Sequence, residues 1–381
     1  MKLSIVKELT KLNIKGQLSG KNVQSIIWSG KPGVGKSRTI EAITKELNCN
    51  YLDYSLPSIV SENLSGLPNF IDAPDMTEYS ISGSKLAQAT DWSVPMLIME
   101  ANRMANEPGK DGCVLVIEDI HETSMGVMPY FYALLEDRRL GTYKLDPKVA
   151  IVGTMNDSDE AGFSGIPSPI KDRCSIVNID FMFEKWFDSH GRFLNYYISS
   201  FIKLYPQYIQ EEESTGIEQF LTPRSCTYFG SELDLYAPEF ILANAKELAE
   251  MKMSRNAAIE FAKHVEYIHK IDFSGIVKRR ELVDVSELKP IDAILYAYIV
   301  NYIESEEDAK YAVELIEKNI NEATFLGFLT GELYNKYLVK QSGKPIPKGA
   351  DLLIDAIIKP DSAKITIPSR EKLFEYIVEF F

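Results

Sequence analysis

Ile26-Ile27-Trp28-Ser29-Gly30-Lys31-Pro32-Gly33-Val34-Gly35-Lys36-Ser37 is the stretch that decides the fold. From Gly30 to Ser37 it follows G-x-x-x-x-G-K-[ST], the spacing of a phosphate-binding loop. The apolar run from Val23 to Trp28, broken by Gln24 and Ser25, reads as a buried strand entering the loop. Gly30, Gly33 and Gly35 let the backbone curl so that several N–H groups aim at one point. Arg38 to Leu47 reads as a helix whose positive end faces the same point. Lys36 would reach the β- and γ-phosphates, and the Ser37 hydroxyl would bind Mg²⁺. Gly30, Lys31, Pro32, Gly33, Val34, Gly35, Lys36, Ser37 and Arg38 are therefore the candidate nucleotide contacts.

Outward from that loop, 381 residues leave room for two or three domains. A composition 45% hydrophobic and 25% charged is that of a globular chain. Net charge of −14 weighs against a general nucleic-acid or anionic-membrane binder, since phosphates would be repelled on average. A local basic pore remains compatible with it. Cys49, Cys113, Cys174 and Cys226 are widely spaced with no C-x-x-C pair. Neither a metal cluster nor a disulfide framework is expected, and a reducing, cytoplasmic setting follows. His264 and His269 are five apart, a poor ligand spacing on a helix, so core or exposed histidines are expected. Met1 to Gln17 lacks the continuous apolar segment of a signal peptide, and no apolar run is long enough to span a membrane.

In chain order, apolar positions at helical spacing over 3–15 predict a helix before the first strand. Tyr51 to Tyr54 reads as a second strand. Residues 57–95, rich in Ser, Pro, Gly and Asp, fit either an insertion with a hairpin or moving loop, or a plain surface connection. Pro95 to Asn106 is helical again. Cys113 to Ile117 makes a buried strand with Glu118-Asp119 at its end. A helix over Met128 to Leu135 leads to Glu136-Asp137-Arg138-Arg139 and a short turn. Lys148 to Thr154 is a buried strand closed by Met155-Asn156-Asp157, and Ser175 to Ile179 is a fifth. Strands separated by helices predict an α/β unit whose parallel sheet is covered on both faces. Beyond about residue 185 helical spacing takes over, in 194–204, 239–250, 256–269, 290–303, 306–320, 350–358 and 370–380. Ser305 before three acids, and Ser369 after Pro368, read as helix starts. Tyr296, Tyr298 and Tyr302 are expected in the core of this helical half.

In a parallel sheet, functional groups gather at the carboxyl ends of the strands. Those ends supply the phosphate loop, Glu118, Asp119 and Asn156, the parts of a nucleoside-triphosphate hydrolysis site. One carboxylate must hold Mg²⁺ and a second must orient the attacking water. Asn156 could position that water without adding repulsive charge.

These motifs together resemble the AAA+ ATPases. The loop, the strand Val114 to Asp119 and the strand ending Gly153-Thr154-Met155-Asn156 look like Walker A, Walker B and sensor 1. Pro167-Ser168-Pro169-Ile170-Lys171-Asp172-Arg173-Cys174 resembles the segment that carries an arginine finger, and Leu221-Thr222-Pro223-Arg224 resembles the sensor 2 arginine of a lid helix. Ala133-Leu134-Leu135-Glu136 with Arg138-Arg139, and the Thr-Pro-Arg sensor, look most like the MoxR and dynein-related branch. The resemblance covers about residues 20–235. It implies a P-loop α/β domain over 1–185 and a helical lid over 186–245; the helical spacing beyond makes 246–381 a C-terminal helical domain. It also implies ATP and Mg²⁺, with Ser37 and Glu118 on the metal, and a ring, most often of six, with Arg173 reaching the neighbour's nucleotide and Arg224 coupling the nucleotide to the lid.

The family has Asp then Glu at the end of Walker B; here the order is Glu118 then Asp119. By position Glu118 is the metal-side acid and Asp119 the base, one methylene shorter than usual. In the alternative register Asp119 serves the metal and Glu122 is the base. The branch points to a chaperone acting on a protein partner, often one with a von Willebrand factor A domain. A nucleic-acid machine, like clamp loaders or restriction-associated GTPases, and a slowly hydrolysing scaffold are the other readings. Lys278-Arg279-Arg280 is the only basic cluster of the helical half.

Overall fold

Five consecutive residues, Ser25 to Ser29, are all buried, as in a strand covered on both faces of a parallel sheet. The computed structural model describes residues 3–58, 61–72, 88–124, 126–156, 168–209 and 219–376. Its strands are β1 (Ser25–Ser29), β2 (Asn50–Ser55), β3 (Pro68–Asp72), β4 (Gln88–Trp92), β5 (Cys113–Glu118), β6 (Arg139–Leu140), β7 (Tyr143–Lys144), β8 (Val149–Met155) and β9 (Cys174–Asn178). Five of them form one sheet in the order β2-β5-β8-β1-β9, with every pair parallel. The helices of this half are α1 (Leu3–Leu18), α2 (Lys36–Glu46), α3 (Ser61–Ser65), α4 (Met96–Ala105), α5 (Met128–Asp137) and α6 (Ser168–Arg173).

Alternation along each strand splits the core in two. Ile27, Leu115, Ile117 and Ile151 face Leu97, Ala101, Phe131 and Leu134 of α4 and α5. Ile26, Trp28, Val114, Val116 and Val152 face Val6, Ile14, Ile40 and Ile43 of α1 and α2. The sheet is thus covered on both faces, as its unbroken apolar runs require. Helix α1 runs past residue 15 to Leu18 because its last turn has work to do. The Gln17 amide accepts from the Ile151 N–H (2.8 Å) and donates to the Ile151 carbonyl (2.9 Å). It serves as a strand edge one residue before β1 begins to pair with β8 at Ile26 and Val152.

Between β2 and α4 lies a hairpin: β3 and β4 pair antiparallel from Pro68–Trp92 to Asp72–Gln88. Of the alternatives for 57–95, the hairpin is what forms, while its tip, 73–87, lies outside the described residues. The expected short turn after α5 is a second small hairpin, β6–β7, turning at Gly141.

Residues 1–181 and 182–381 form two compact units. The second is helical in its described residues: α7 (Phe183–Ser189), α8 (Tyr196–Leu204), α9 (Pro223–Leu233), α10 (Pro238–Glu250), α11 (Arg255–His269), α12 (Phe273–Arg279), α13 (Pro290–Tyr296), α14 (Glu306–Lys318), α15 (Ala323–Gln341), α16 (Lys348–Ile358) and α17 (Arg370–Glu375). Ser305 and Asp308 form the capping box expected for α14. Ser369 stands directly before α17, as expected of a helix start, and its hydroxyl also donates to Glu317 (2.7 Å); the helix itself runs to Glu375 rather than through 380 among the described residues. The helix expected over 290–303 gives way after Tyr296 to a 3₁₀ turn, Ala297–Tyr302. Tyr298 stacks on Tyr196 and meets Phe273 edge-on, as expected of a core residue, whereas Tyr296 is half-buried and Tyr302 is 37% exposed, so the expectation fails at Tyr302. His264 is buried and His269 exposed. All four cysteines are free and buried, and burial pushes the Cys113 and Cys174 thiols up to about 12. No helix among the described residues is long and apolar enough to cross a membrane.

Candidate nucleotide site

The phosphate loop leaves β1 through a gap that admits only glycine. A Cβ on Gly30 would lie 2.9 Å from the Ile179 carbonyl oxygen, just beyond β9. Gly33 (φ 73°) and Gly35 (φ 89°) hold the left-handed conformations that close the curl. Gly35 is also the residue before α2, and no side chain caps that helix. The positive end of its dipole favours an anion at that position. Residues 31–37 are half-buried, whereas the Arg38 side chain is 88% exposed and pairs with Glu41 at 3.6 Å.

Lys36 ties the site together. Its ammonium donates to the carbonyls of Gly30 (2.5 Å) and Lys31 (3.0 Å) and to Asn156 Oδ1 (3.0 Å). The loop after β1 and the residue after β8 therefore share one cation. Register brings β5 to the same level: Ile27, Gly153 and Ile117 are direct neighbours across β1, β8 and β5. Glu118 and Asp119 follow at once.

Strand alternation stops at Glu118, because Asp119 turns left-handed (φ 54°, ψ 44°). Asp tolerates that conformation better than most residues. The chain then enters a 3₁₀ turn, Ile120–Glu122, so Asp119 is not simply carried to the face opposite Glu118. Ile120 is buried against β8, where a Cβ on Gly153 would lie 2.6 Å from Ile120 Cδ1 and 2.9 Å from Ile27 Cγ1. Glycine at 153 is what lets the acidic turn sit down on the sheet.

His121 belongs to this cluster and sequence reasoning passed over it. Its Nδ1 accepts from the Asn156 N–H at 3.4 Å, and its Nε2 lies 3.4 Å from Glu122 Oε1. Its side chain is 6% exposed while that of Glu122 is 59% exposed. The signal available was a histidine inside an acidic strand end, Glu118-Asp119-Ile120-His121-Glu122.

Arg173 is elsewhere. It ends α6, and Cys174 opens β9 level with Ser25, the start of β1. The phosphate loop begins after Ser29, which is level with Asn178. Four residues of strand, about 13 Å, separate the two levels. Arg173 and the chain's own phosphate loop thus sit at opposite ends of the sheet. Arg173 Nε donates to Glu136 Oε2 at 2.6 Å, and its guanidinium carbon lies 5.7 Å from the centre of the Tyr132 ring.

Arg224 belongs to the second unit. It is exposed in the first turn of α9, behind a Thr222–Ser225 capping box. A cation there opposes the helix dipole, so helix stability does not explain it. In the Lys278-Arg279-Arg280 cluster, Arg279 pairs with Asp272 and Glu281, and Arg280 with Glu307. That cluster is a neutralised surface.

The residues present fit a Mg²⁺–nucleotide. An uncapped helix start, a central lysine and left-handed glycines suit phosphates. Mg²⁺ keeps several waters and takes one or two protein oxygens beside phosphate oxygens, which Ser37 and Glu118 can supply.

Residues 26–179 match AAA, the ATPase family associated with various cellular activities. None of the curated proteins matches the chain. Among solved structures, the RuvB Holliday junction branch migration motor of Thermotoga maritima is 17% identical over 74% of this chain and 79% of its own, with a TM-score of 0.36. A point mutant of that protein is 15% identical over 91% of this chain and 96% of its own, with a TM-score of 0.37. Scores of that size do not establish a common arrangement of the whole chain.

Proposed function

Taking residues 26–179 as a module of the AAA ATPase family, we propose that the chain hydrolyses ATP in a ring, of six copies in the simplest case, and uses the cycle to remodel a protein partner in the manner of MoxR-like chaperones. The observation that carries the hydrolytic reading is the Lys36–Asn156 hydrogen bond at the common level of three strand ends. Gly30 to Ser37 cradle the phosphates, and Lys36 exchanges its carbonyl partners for phosphate oxygens. Ser37 and Glu118 would hold Mg²⁺, which would supply positive charge against the phosphates. Asp119 takes the proton of the attacking water, and Asn156, seated by His121, orients that water.

The ring reading is supported by the placement of Arg173. At the far end of the sheet from its own loop, it can serve only a nucleotide held by another copy. There it would stabilise transition-state charge, worth about 10³- to 10⁵-fold for such arginines in phosphoryl transfer. Arg224, exposed against the dipole of α9, couples the nucleotide to the lid, read as residues 186–245 between an α/β domain (1–185) and a C-terminal helical domain (246–381). An acidic chain whose main basic cluster is neutralised favours a protein partner over nucleic acid. A protein with a von Willebrand factor A domain, in the cytoplasm, is the proposed partner class. The test is steady-state ATP hydrolysis by the full chain beside Lys36→Ala, with partners identified after co-purification from the native source. Turnover stimulated by DNA or RNA, with no protein partner recovered, would refute the chaperone reading.

A further inference from the structure

We propose that the outer face of α4, with the base of the β3–β4 hairpin beside it, is a docking surface for an amphipathic helix of the protein partner, one whose apolar face ends in carboxylates. The inference rests on the reading that the chain acts on a protein. Large apolar side chains left in water gather here. Trp92 ends β4, Val94 follows it, and Met96 and Met99 stand in the first turn of α4, 63% and 54% exposed. Ser93 brings in Leu67: its N–H donates to the Leu67 carbonyl (2.9 Å), and its hydroxyl accepts from the Leu67 N–H (2.8 Å). Leu67 is exposed as well. A contiguous apolar patch of this kind marks a contact for another molecule, and methionines adapt to the shape of what they meet.

Charge says what that molecule carries. Met96, Met99 and Arg103 follow at three- and four-residue spacing and so share one face of α4. Arg103 is exposed and has no carboxylate partner among the described residues, unlike Arg139, Arg279 and Arg280. Exposed Lys144, equally without one, stands beside it, its carbonyl accepting from Asn102 Nδ2 at 3.0 Å. On a chain of net charge −14, two unpaired cations at the end of an apolar face call for carboxylates from outside. Seven residues of helix, about 10 Å, separate Met96 from Arg103. A helix laid along α4 would therefore carry its acids about two turns beyond its first apolar contact. The surface is also held in shape. Asn102 accepts from the Asp146 N–H (2.7 Å), Asn106 donates to Asp146 Oδ2 (2.9 Å), and the Tyr143 hydroxyl donates to the Trp92 carbonyl. Hairpin β6–β7 is thus bonded both to α4 and to the end of β4, and a preformed surface needs little ordering on binding.

The test uses the full-length protein and two fluorescent helical peptides of about 20 residues. One has leucines on one face and, about two turns on along the same face, glutamates; the other has lysines in place of the glutamates. Anisotropy reads binding. The wild-type protein should bind the glutamate peptide about tenfold more tightly than the lysine peptide, and less tightly as salt rises. Met96→Gln with Met99→Gln should weaken it about tenfold or more. Arg103→Glu with Lys144→Glu should reverse the preference between the two peptides. All four side chains are exposed and outside the nucleotide site, so basal ATP turnover should not change. No binding of the glutamate peptide, unchanged affinity in the methionine variant or an unreversed preference would each overturn the inference. Loss of self-association in the methionine variant by sedimentation would give this face to a second copy and overturn it too. A native partner recovered equally by wild type and both variants would overturn this surface and leave the partner reading standing. Recovery of no protein by the wild type would remove that reading and this inference together.

Discussion

Gly153→Ala tests how closely the acidic turn is fitted to the sheet. The added methyl would lie 2.6 Å from Ile120 Cδ1, and ordinary contact begins at 3.4 Å, so Ile120 must retreat by about 0.8 Å. Ile27 Cγ1, at 2.9 Å, closes the other way out. Overpacking of this kind costs about 1–3 kcal/mol. Replacing glycine by alanine returns about 0.4–1 kcal/mol through the unfolded chain. A net loss of about 1–2 kcal/mol lowers Tm by about 2–8 °C for a unit of this size. The same displacement moves the turn that holds Asp119 and His121, so kcat should fall about tenfold or more. Ile120→Val deletes the Cδ1 atom itself. Alone it costs about 0.5–1.5 kcal/mol, yet in the Gly153→Ala background it should recover stability and part of the rate. Thermal unfolding and steady-state hydrolysis of the four proteins decide the matter. Additive losses in the double variant would refute the argument from this contact.

Asp119→Asn should bind Mg²⁺–ATP and not turn it over, whereas Glu118→Gln should weaken Mg²⁺ dependence and binding; normal turnover in Asp119→Asn with loss in Glu122→Gln would hand the base role to Glu122. Exchanging the two acids, Glu118→Asp with Asp119→Glu, should raise turnover if carboxylate reach limits the enzyme, and no gain would argue that it does not. Mixing Arg173→Ala with Lys36→Ala subunits should restore turnover that neither has alone, because mixed rings contain interfaces with both groups intact; mixed rings without activity would count against delivery in trans. Burial lowers the His264 pKa to about 4, so as pH falls below about 6.5 the unfolded chain takes up a proton first. Stability of the second unit should then decline from about pH 6.5 to about pH 4, by about 3 kcal/mol in full. His264→Gln should flatten that part of a pH series of chemical denaturation midpoints, and an identical slope in both proteins would exclude His264 as its source.

The candidate nucleotide site could be picked out in the sequence because its parts are local. Gly30 to Ser37 and the apolar runs that end at Glu118 and Asn156 announce themselves within a few residues. What stayed hidden was set by packing between distant segments. Helix α15 carries no amphipathic stripe to read, because Phe325 to Leu333 are buried on nearly every side. Ser369 reads as a helix start and stands at one, but nothing near it in the chain foretells the carboxylate 52 residues away that its hydroxyl meets. Arg173 could be picked out by its order in the chain, whereas its partner Glu136 depends on how α5 and α6 pack. The glycine at 153 reads as an ordinary strand residue until Ile120 is laid against it.

The place of β1 in the sheet bears on how the chain comes to fold. It is made early, yet both of its partners, β8 and β9, lie more than a hundred residues further on. The β2–β5 pair can form while β1 still has no strand to join. Closing so long a loop is slow, and a sheet that depends on it is completed late. The phosphate loop acquires its frame only when β1 slots between β8 and β9, so the ability to bind nucleotide arrives with the last strand of the sheet. A nascent chain that stops short of residue 178 should leave an apolar strand exposed and its glycine loop without walls, and nucleotide capture during synthesis would report completion of the domain.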